Sequence, residues 1–563
     1  MSSSDFSARS RSRSIQALGR GGFDLLVVGG GITGAAVARD AATRGMRVAL
    51  IEKDDFAQGT SSRSSKLVHG GLRYLENLEF GLVFEALSER SLLLRTQPHL
   101  VHPLPFYFPV YEGAPRGRFL VGLGLWFYDL LSLFRTPGWH RSLSREKFLN
   151  EVPGLKSQGL RGGFRYFDAC MWDDVMVLEL LRDATRRGAT VASRVEAVRP
   201  LWREGGELGG FQVRDHEAGG REIAVHARQT VICAGPWTDI FGQRLDGSWK
   251  PALQPSQGVH LVFDFKRLPI PGALVMSHPS DGRISFVMPR RDLGAGVTIV
   301  GTTDGPTPAE PEKAKVEAQD TEYLLQLLQA YFPDAGLSQA DVISSYVGVR
   351  PLLDPRRGAS EAGGGLAKVS REHEIWTGPG GAVFVAGGKY TTHRKMAEEI
   401  VDAVLKEARL RGVPADWRKP DTSLPPNPEA TPEAMERLLG TLPPEGRARA
   451  NREALVRRYG AEADEVEALE AECLSRAPQE SRGPADPEGF PCLRGQFLYQ
   501  LRHGAVLRLE DFYRRRVPLY LARADHGLPW AEALSWIWAW ELQRSEAERL
   551  AELQALRESF SRD

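Results

Sequence analysis

The sequence has few cysteines for its length. Its 563 residues include four, at positions 170, 233, 473 and 492, and no two of them form a C-x-x-C motif. A disulfide framework and a zinc site are therefore excluded, no metal site is predicted, and a reduced, cytosolic compartment fits best. The sequence also has no net charge, because 72 basic side chains balance 72 acidic ones. That balance argues against a nucleic-acid-binding protein that relies on bulk charge.

Long apolar runs are absent as well. No run reaches the roughly 20 apolar residues that a membrane-spanning helix needs. The nearest is FLVGLGLWFYDLLSLF (119–134), which is interrupted by Asp129. The basic residues that flank it are Arg116, Arg118, Arg135, His140 and Arg141. Two interpretations stay open, a segment lying in the lipid interface or a buried helix of a second domain.

Residues 1–22 lack the hydrophobic core of a secretory signal. They are rich in serine and arginine and poor in acids, as transit peptides are, but the segment is short. We therefore predict a disordered extension.

Residues 23–55 carry the clearest local pattern, a strand, a glycine-rich turn, a helix and a second strand. The turn has the spacing G-x-G-x-x-G, formed by Gly29, Gly31 and Gly34, and the second strand ends at Glu52. This is a dinucleotide-binding fingerprint, in which the glycines allow a tight turn, close approach to a pyrophosphate and helix–strand packing. The helix N-terminus favours the phosphates, and Glu52 is predicted to accept a hydrogen bond from a ribose hydroxyl.

Two more buried strands that stop at glycine, near Gly235 and Gly387, indicate that the cofactor domain is assembled from discontinuous segments. Short strand candidates between residues 259 and 349 suggest a separate antiparallel sheet. The predicted class is α/β, α+β overall, with a discontinuous Rossmann-like domain, an antiparallel-sheet substrate domain and a C-terminal α-helical cap. The predicted boundaries are 1–22 (extension), 23–100, 171–238 and 376–410 (cofactor domain), 101–170 (irregular, proline-rich substrate-side insertion), 239–375 (substrate domain), 411–445 (linker) and 446–563 (helical domain).

Several further segments place glycine, hydroxyl and basic residues together. They are GTSSRSSKLVHGGLRYLE (59–76), GTTD (301–304), GVRPL (348–352), SREHEI (370–375), GGKYTTHRKMAE (387–398) and YQLRHGAVLRLEDFYRRR in the tail. Together they resemble the FAD-dependent glycerol-3-phosphate dehydrogenases, quinone-linked flavoenzymes of the D-amino-acid-oxidase-like superfamily. The resemblance covers roughly residues 22–405 and the helical tail.

The resemblance implies non-covalent FAD and oxidation of sn-glycerol 3-phosphate to dihydroxyacetone phosphate. Hydride would pass from C2 to flavin N5, and electrons would go on to membrane quinone. A cytoplasmic protein, peripheral on the inner face of the cell membrane, is implied; no nucleic acid partner is expected, and a homodimer is left open.

The resemblance also implies a phosphate site. Arg73, Arg350, Arg371 and Lys389 lie in four distant segments, and such cations suit a phosphate dianion if they converge. Tyr74 beside Arg73 is implied as a further substrate contact.

The predicted catalytic residues are His260, Arg350 and Lys389. The resemblance implies that His260, in the predicted strand SQGVHLVF, is the histidine that faces the flavin, and it is the candidate base for the hydroxyl proton; a hydrogen-bonded core histidine is the other interpretation. Arg350 would stabilise the developing alkoxide.

The residues predicted to contact FAD are Gly29, Gly31, Gly34, Glu52, Lys53, Thr60, Ser61, Ser65, Val195, Gly235, Gly387 and Thr391. A helix starting near Thr391 would aim its N-terminus at the flavin pyrimidine ring.

Three rival functions are retained. An oxidase would use the same substrate but pass electrons to oxygen and release hydrogen peroxide. A flavin-bound regulatory or scaffolding protein would have no turnover. An amine-oxidising relative is a weaker rival, because one carboxylate would not require four cationic groups.

Overall fold

The computed structural model describes residues 6–72, 75, 79–114, 117–133, 135–355, 373–410, 417 and 421–561. Arg73, Tyr74 and Arg371 lie outside the described residues. The described part contains two β-sheets and a helical C-terminal region, as the predicted fold class requires.

The strands, in chain order, are β1 (Phe23–Val28), β2 (Val48–Ile51), β3 (Leu67–Val68), β4 (Val101–Tyr111), β5 (Arg141–Leu143), β6 (Leu160–Met171), β7 (Thr190–Ala192), β8 (Val195–Trp202), β9 (Leu208–Asp215), β10 (Arg221–Ile232), β11 (Ser256–Asp264), β12 (Ala273–Ser277), β13 (Ile284–Arg290), β14 (Val297–Gly301), β15 (Gly305–Pro306), β16 (Val342–Arg350), β17 (His373–Thr377) and β18 (Val383–Gly387).

The helices are α1 (Arg11–Arg20), α2 (Ile32–Thr43), α3 (Phe80–Thr96), α4 (Arg118–Leu131), α5 (Arg145–Glu151), α6 (Asp173–Arg186), α7 (Thr238–Leu245), α8 (Ala318–Tyr331), α9 (His393–Leu410), α10 (Pro432–Gly440), α11 (Arg447–Tyr459), α12 (Ala463–Arg476), α13 (Leu493–His503), α14 (Leu509–Arg515), α15 (Leu519–Ala522), α16 (Ala531–Leu542) and α17 (Glu546–Ser561). Within the described ranges, no helix combines the length and the apolar content that a bilayer crossing requires.

The first sheet has the strand order β17-β18-β10-β1-β2-β7. Strands β18, β10, β1, β2 and β7 are parallel, whereas β17 is an antiparallel edge. Helices α2, α6 and α9 cover one face, and the antiparallel strands β8 and β9 with Leu18 of α1 cover the other. The strand–glycine elements at 29, 235 and 387 therefore stand side by side, which confirms the discontinuous Rossmann-like fold.

The second sheet has the order β15-β11-β14-β13-β12-β4-β6-β3, with β16 beside β11 and β5 beside β6. It is antiparallel except where β12 and β4 run parallel. The prediction that residues 101–170 are irregular is wrong, because β4, β5 and β6 belong to this sheet. Pro103, Pro105 and Pro109 lie in β4 at odd positions, so their missing N–H groups all face one side of the strand.

The prediction of a disordered N-terminus is wrong for residues 6–20. Phe6 is buried and stacks on Phe56 with ring centroids 5.7 Å apart, and Leu18 is fully buried. Arg11 forms an ion pair with Asp215 on β9. A segment of low overall hydrophobicity is therefore ordered by a few specific contacts that composition does not reveal.

Helix α4 is amphipathic, so the interpretation of residues 119–134 as a buried helix does not hold for the helix as a whole. Val121, Leu125 and Tyr128 are buried, and Asp129 is buried against His140, with its carboxylate 2.7 Å from the ring Nδ1. The opposite face is exposed. The predicted domain boundaries remain predictions. Strand β17 (His373–Thr377) crosses the predicted boundary between residues 375 and 376, and it lies in the first sheet.

The packing of α2 on the turn before it supplies a first test. A Cβ at Gly34 would stand 1.9 Å from the carbonyl oxygen of Gly29, whereas a Cβ at Gly81 in α3 meets nothing within 4 Å. Gly34→Ala should destabilise the protein by more than about 2 kcal/mol, while Gly81→Ala should be neutral or stabilise it by up to about 1 kcal/mol. Thermal unfolding of both variants measures this, and an unchanged Tm for Gly34→Ala would contradict the packing.

Candidate active site

A cavity of about 490 Å³ lies where the carboxyl ends of β1, β10 and β18 face strands β11 and β16 of the second sheet. Ligands of open α/β sheets bind in such crevices, outside the carboxyl ends of the strands. The cavity is therefore bounded by the fingerprint turn on one side and by residues of the second sheet on the other.

Two of the fingerprint glycines, Gly29 and Gly34, occupy positions where a side chain would clash with backbone. Gly29 has φ 111°, and a Cβ there would stand 2.4 Å from the carbonyl oxygen of Cys233. Gly31 lines the cavity, and Gly34 packs against the turn without lining it. The turn thus brings β1, β10 and the start of α2 into contact.

Glu52 lies at one end of the cavity, directly after β2. Its carboxylate accepts hydrogen bonds from the backbone N–H groups of Gly30 and Asp54 at 2.7 and 2.9 Å. Burial raises the pKa of Glu52 above its ordinary value, although these two bonds act in the opposite direction. The side chain is fixed, and its oxygens can accept a further hydrogen bond from a ribose.

The N-terminus of α2 opens onto the cavity through Gly31, Ile32 and Thr33. Ser61 Oγ accepts from the backbone N–H of Ile32 at 2.9 Å, and the first turn contains no acidic side chain. The positive end of the helix is therefore available to a diphosphate.

Most of the other residues predicted to contact the cofactor line the cavity, and Thr391 does not. Lys53, Thr60, Ser61, Ser65, Val195, Gly235 and Gly387 line the cavity. Thr60 donates its hydroxyl proton to the carbonyl of Val349 at 2.6 Å, and Lys53 lies over the ring of Trp237 at 4.7 Å. Thr391 does not line the cavity; it is buried in a short turn just before α9. The prediction of a helix starting near Thr391 is close to the observed start at His393.

His260 on β11 lines the cavity and is fully enclosed. Its Nε2 is 2.9 Å from Ser65 Oγ, and its buried Nδ1 has no hydrogen-bond partner among the described residues. Burial, together with the positive charges of Arg350 and Lys66, lowers the pKa of His260 to about 3. The imidazole is therefore neutral near pH 7, and one of its two ring nitrogens carries no proton.

Arg350 ends β16 and lines the same cavity. Its Nη2 is 2.8 Å from Thr302 Oγ1, and its Nη1 is 3.1 Å from Asp304 Oδ1. A Cβ at Gly258 would stand 2.1 Å from Nη2, so the glycine before Val259 makes room for the guanidinium. The motifs GVRPL and GTTD therefore meet at one point of the second sheet.

Lys389, after β18, also lines the cavity. Of the four cations predicted to bind phosphate, the described part of the chain contains Arg350 and Lys389, and both lie on this cavity. Arg73, Arg371 and the neighbouring Tyr74 fall outside the described residues, so their convergence stays a prediction.

Sequence reasoning did not identify Tyr346. Its ring stacks on that of His260 with centroids 4.7 Å apart and planes 10° apart, and its hydroxyl donates to the carbonyl of Ser64 at 3.0 Å. The feature that identifies Tyr346 is strand pairing: β11 and β16 are antiparallel, and His260 lies opposite Tyr346. Cross-strand partners of this kind are visible only once the register is known.

The site therefore combines a glycine-rich turn, a helix N-terminus that opens onto the cavity and a fixed carboxylate with a neutral imidazole beside a guanidinium. The first three fit a dinucleotide. The last two fit removal of a proton from a substrate hydroxyl with stabilisation of the oxyanion.

Comparison with known proteins identifies the family. Residues 24–394 match the model of the FAD dependent oxidoreductase family, and residues 385–549 match that of the C-terminal domain of alpha-glycerophosphate oxidase. An aerobic glycerol-3-phosphate dehydrogenase of Bacillus subtilis (strain 168) is 36% identical over 412 residues, which cover 73% of this chain and 72% of the relative. A protein of the same name from Staphylococcus aureus (strain USA300) is 35% identical over 69% of this chain and 68% of its own.

Among solved structures, glycerol-3-phosphate dehydrogenase from Bacillus halodurans, complexed with FAD, has a TM-score of 0.77 and 28% identity. The match covers 99% of this chain and 98% of that one. L-alpha-glycerophosphate oxidase from Mycoplasma pneumoniae, with FAD bound, has a TM-score of 0.50 and 17% identity over 68% of this chain and 94% of that one, a likeness of fold.

The low pKa of His260 predicts a pH dependence of stability. The unfolded chain protonates this histidine near its ordinary pKa of 6.5, and the folded protein does so near 3. The unfolded state then binds more protons between these values, so the folded state loses stability as the pH falls from 6.5 towards 3. His260→Gln should remove up to about 1.4 kcal/mol of this loss per pH unit.

The measurement is the Tm of the FAD-free protein at a series of pH values below 7. The matched control is His226→Gln, because His226 is exposed. Equal slopes of Tm against pH in the two variants would contradict the buried, neutral state of His260.

Proposed function

The chain belongs to the family of FAD-dependent oxidoreductases, and on that premise we propose that it oxidises sn-glycerol 3-phosphate to dihydroxyacetone phosphate. The observation that carries the proposal is a neutral, buried His260 beside Arg350 on the wall of the cavity between the two sheets, which we call the dinucleotide cavity. Lys389 lines the same cavity. The names of the relatives support the same substrate.

In the proposed reaction His260 accepts the proton of the C2 hydroxyl. Its neutral ring has an acceptor nitrogen, and the stacked Tyr346 fixes the plane of that ring. Arg350 lies close enough to lower the pKa of His260, and its positive charge favours the alkoxide that develops as the proton leaves. FAD, when bound, supplies the hydride acceptor, flavin N5.

The phosphate of the substrate is assigned to Lys389, Arg350, Arg73 and Arg371, with Tyr74 as a further contact. Burial, and then the positive charges of Arg350 and Lys66, lower the basicity of His260 before substrate arrives. A bound phosphate acts in the opposite direction to these charges, so substrate binding and proton acceptance support each other.

We assign FAD binding to the residues that the sequence analysis predicts to contact it. Glu52 would hold the ribose, the N-terminus of α2 the diphosphate, and the turn before α9, with Thr391, the flavin end. The contacts of Ser61 and Ser65, to Ile32 and His260, tie these regions to one loop. Binding without a covalent link is proposed.

The proposed electron acceptor is membrane quinone, and the exposed face of α4 favours it. Its apolar side chains lie on one side of the helix and are Phe119, Leu120, Leu123, Trp126, Phe127 and Leu130. Phe119 is 86% exposed and Trp126 is 55% exposed. Patches of this kind mark interaction surfaces, and the nearby Arg118, Arg135 and Arg141 suit anionic lipid. The protein would then lie on the inner face of the cell membrane.

The substrate is tested by anaerobic reduction of the purified holoenzyme. Glycerol 3-phosphate should bleach the visible absorbance of the oxidised flavin, whereas glycerol at the same concentration should not. His260→Gln should slow the bleaching by about 10²- to 10⁴-fold, because it removes the proposed base. An absence of bleaching in the unmodified protein would refute the proposed function, and bleaching by an amine such as sarcosine would favour the amine-oxidising alternative.

The acceptor is tested by reoxidation of the reduced enzyme. Quinone as acceptor predicts fast reoxidation by a soluble quinone analogue and little peroxide in air. Stoichiometric hydrogen peroxide would instead identify an oxidase.

The role of the α4 face is tested by vesicle co-sedimentation. Phe119→Ser with Trp126→Ser should weaken binding to anionic vesicles by at least about tenfold, because each large apolar side chain contributes about 1.5–3 kcal/mol on burial. Bleaching by substrate should be unchanged. Trp202→Ser, at another exposed tryptophan, is the control, and equal vesicle binding by both proteins would exclude this face as the lipid contact.

A further inference from the structure

The C-terminal helical region reaches the loop that follows β2 through two adjacent arginines. Arg515 Nε donates to the carboxylate of Asp55, and Arg516 Nη1 and Nη2 lie 2.8 and 2.9 Å from Oδ2 and Oδ1 of the same group. All three side chains are almost completely buried. Burial alone raises the pKa of Asp55, but the charges of Arg516 and Arg515 outweigh it and hold the pKa well below its ordinary value.

A second contact reaches the same loop indirectly, through Arg194, from α14 (Leu509–Arg515). The Oδ1 atom of Asp511, on α14, lies 2.7 Å from Nη2 of Arg194. The backbone N–H of Arg194 donates to the carbonyl of Asp54 at 2.9 Å, and the next N–H, of Val195, donates to the carbonyl of Glu52 at 2.7 Å. We refer to Asp55, Asp511, Arg515 and Arg516 together as the α14 latch.

The loop held in this way forms one end of the dinucleotide cavity. Glu52, Lys53 and Asp54 line the cavity, whereas Asp55 does not. The backbone N–H of Asp54 donates to the carboxylate of Glu52, so a displacement of residues 54–55 would move the group proposed to hold the ribose. The latch residues are therefore positioning residues, which act on the cofactor through loop 52–55.

We propose that the α14 latch couples docking of the C-terminal region to FAD affinity by fixing loop 52–55. Because coupling between two equilibria is reciprocal, bound FAD strengthens the latch by the same factor by which the latch tightens FAD. The coupling is independent of the substrate and of the electron acceptor.

The buried charges support a positioning role. An ion pair removed from water often adds little net stability compared with packed apolar side chains, but its loss on one side leaves a charge without compensation. A carboxylate held by two guanidinium groups also has a defined orientation, since each arginine presents its N–H donors in a rigid plane. Such a contact determines where the loop lies more strongly than it determines whether the domains associate.

A second ion pair offers a matched control, because it contributes to docking of the C-terminal region without contacting loop 52–55 in the described part of the chain. Arg182 on α6 and Glu462 in the C-terminal region form a bidentate ion pair, with N–O distances of 2.7 and 3.1 Å. This pair joins the same two parts of the molecule, and neither residue lines the dinucleotide cavity. Glu462→Gln therefore weakens docking without acting on loop 52–55.

The first experiment compares Asp55→Asn with Glu462→Gln. FAD is removed, and its Kd is measured by fluorescence titration at a temperature at which both apoproteins are folded. Asp55→Asn should raise the Kd for FAD by about 5- to 150-fold, the usual range of a coupling between two sites, and Glu462→Gln should change it by less than about twofold. An unchanged Kd in Asp55→Asn, or equal increases in both variants, would overturn the proposal.

The second experiment needs no variant and decides the matter if Asp55→Asn does not fold. Hydrogen–deuterium exchange of the wild-type protein is compared with and without FAD. Binding of FAD should slow amide exchange in residues 505–517, around the latch, more than in α12, which lacks a contact with loop 52–55 among the described residues. Equal protection of the two segments, or none at 505–517, would refute the coupling.

Discussion

The arrangement of the site depends on the loop of residues 59–66, which crosses from the cofactor sheet to the second sheet. Successive hydroxyl groups of this loop bond to different elements. Ser61 accepts from the start of α2, Thr60 donates to β16, and Ser65 bonds to His260 on β11. The crossing is close, because a Cβ at Gly348 would stand 2.4 Å from the carbonyl oxygen of Arg63. A single loop therefore sets the distance between the dinucleotide end and the proton-accepting end of the cavity.

The electrostatics of the second sheet follow from the same crowding. His260 is enclosed by Ser65, Tyr346 and the backbone of β14, where a Cβ at Gly301 would stand 2.3 Å from the imidazole Cδ2. Enclosure removes water, so a positive charge on the ring is unfavourable next to Arg350. The neutral imidazole is thus a consequence of packing and neighbouring charge together.

The local elements of the fold could be predicted from the sequence, and the long-range pairings could not. The β1–α2–β2 unit and the returns at Gly235 and Gly387 are patterns within short windows, in which buried runs stop at glycine. Strand β4 was missed because its three prolines signal irregular structure, although they share one side of the strand. The contact of Tyr346 with His260 depends on a register between residues 86 positions apart in the chain, which no local pattern contains.

The N-terminal segment shows the same limit in a different way. Its composition predicts disorder, yet Phe6 finds a stacking partner and Arg11 donates to the carbonyl of Ser193, next to Arg194. Few contacts suffice because the receiving surface is already formed by the folded domain, so only the segment itself, and not its partner surface, loses conformational entropy when the contacts form. Buried arginine–carboxylate pairs also join distant parts of the chain through a few specific contacts. Their desolvation offsets much of their attraction, so their main effect is to select one docking geometry among several that apolar packing alone would permit.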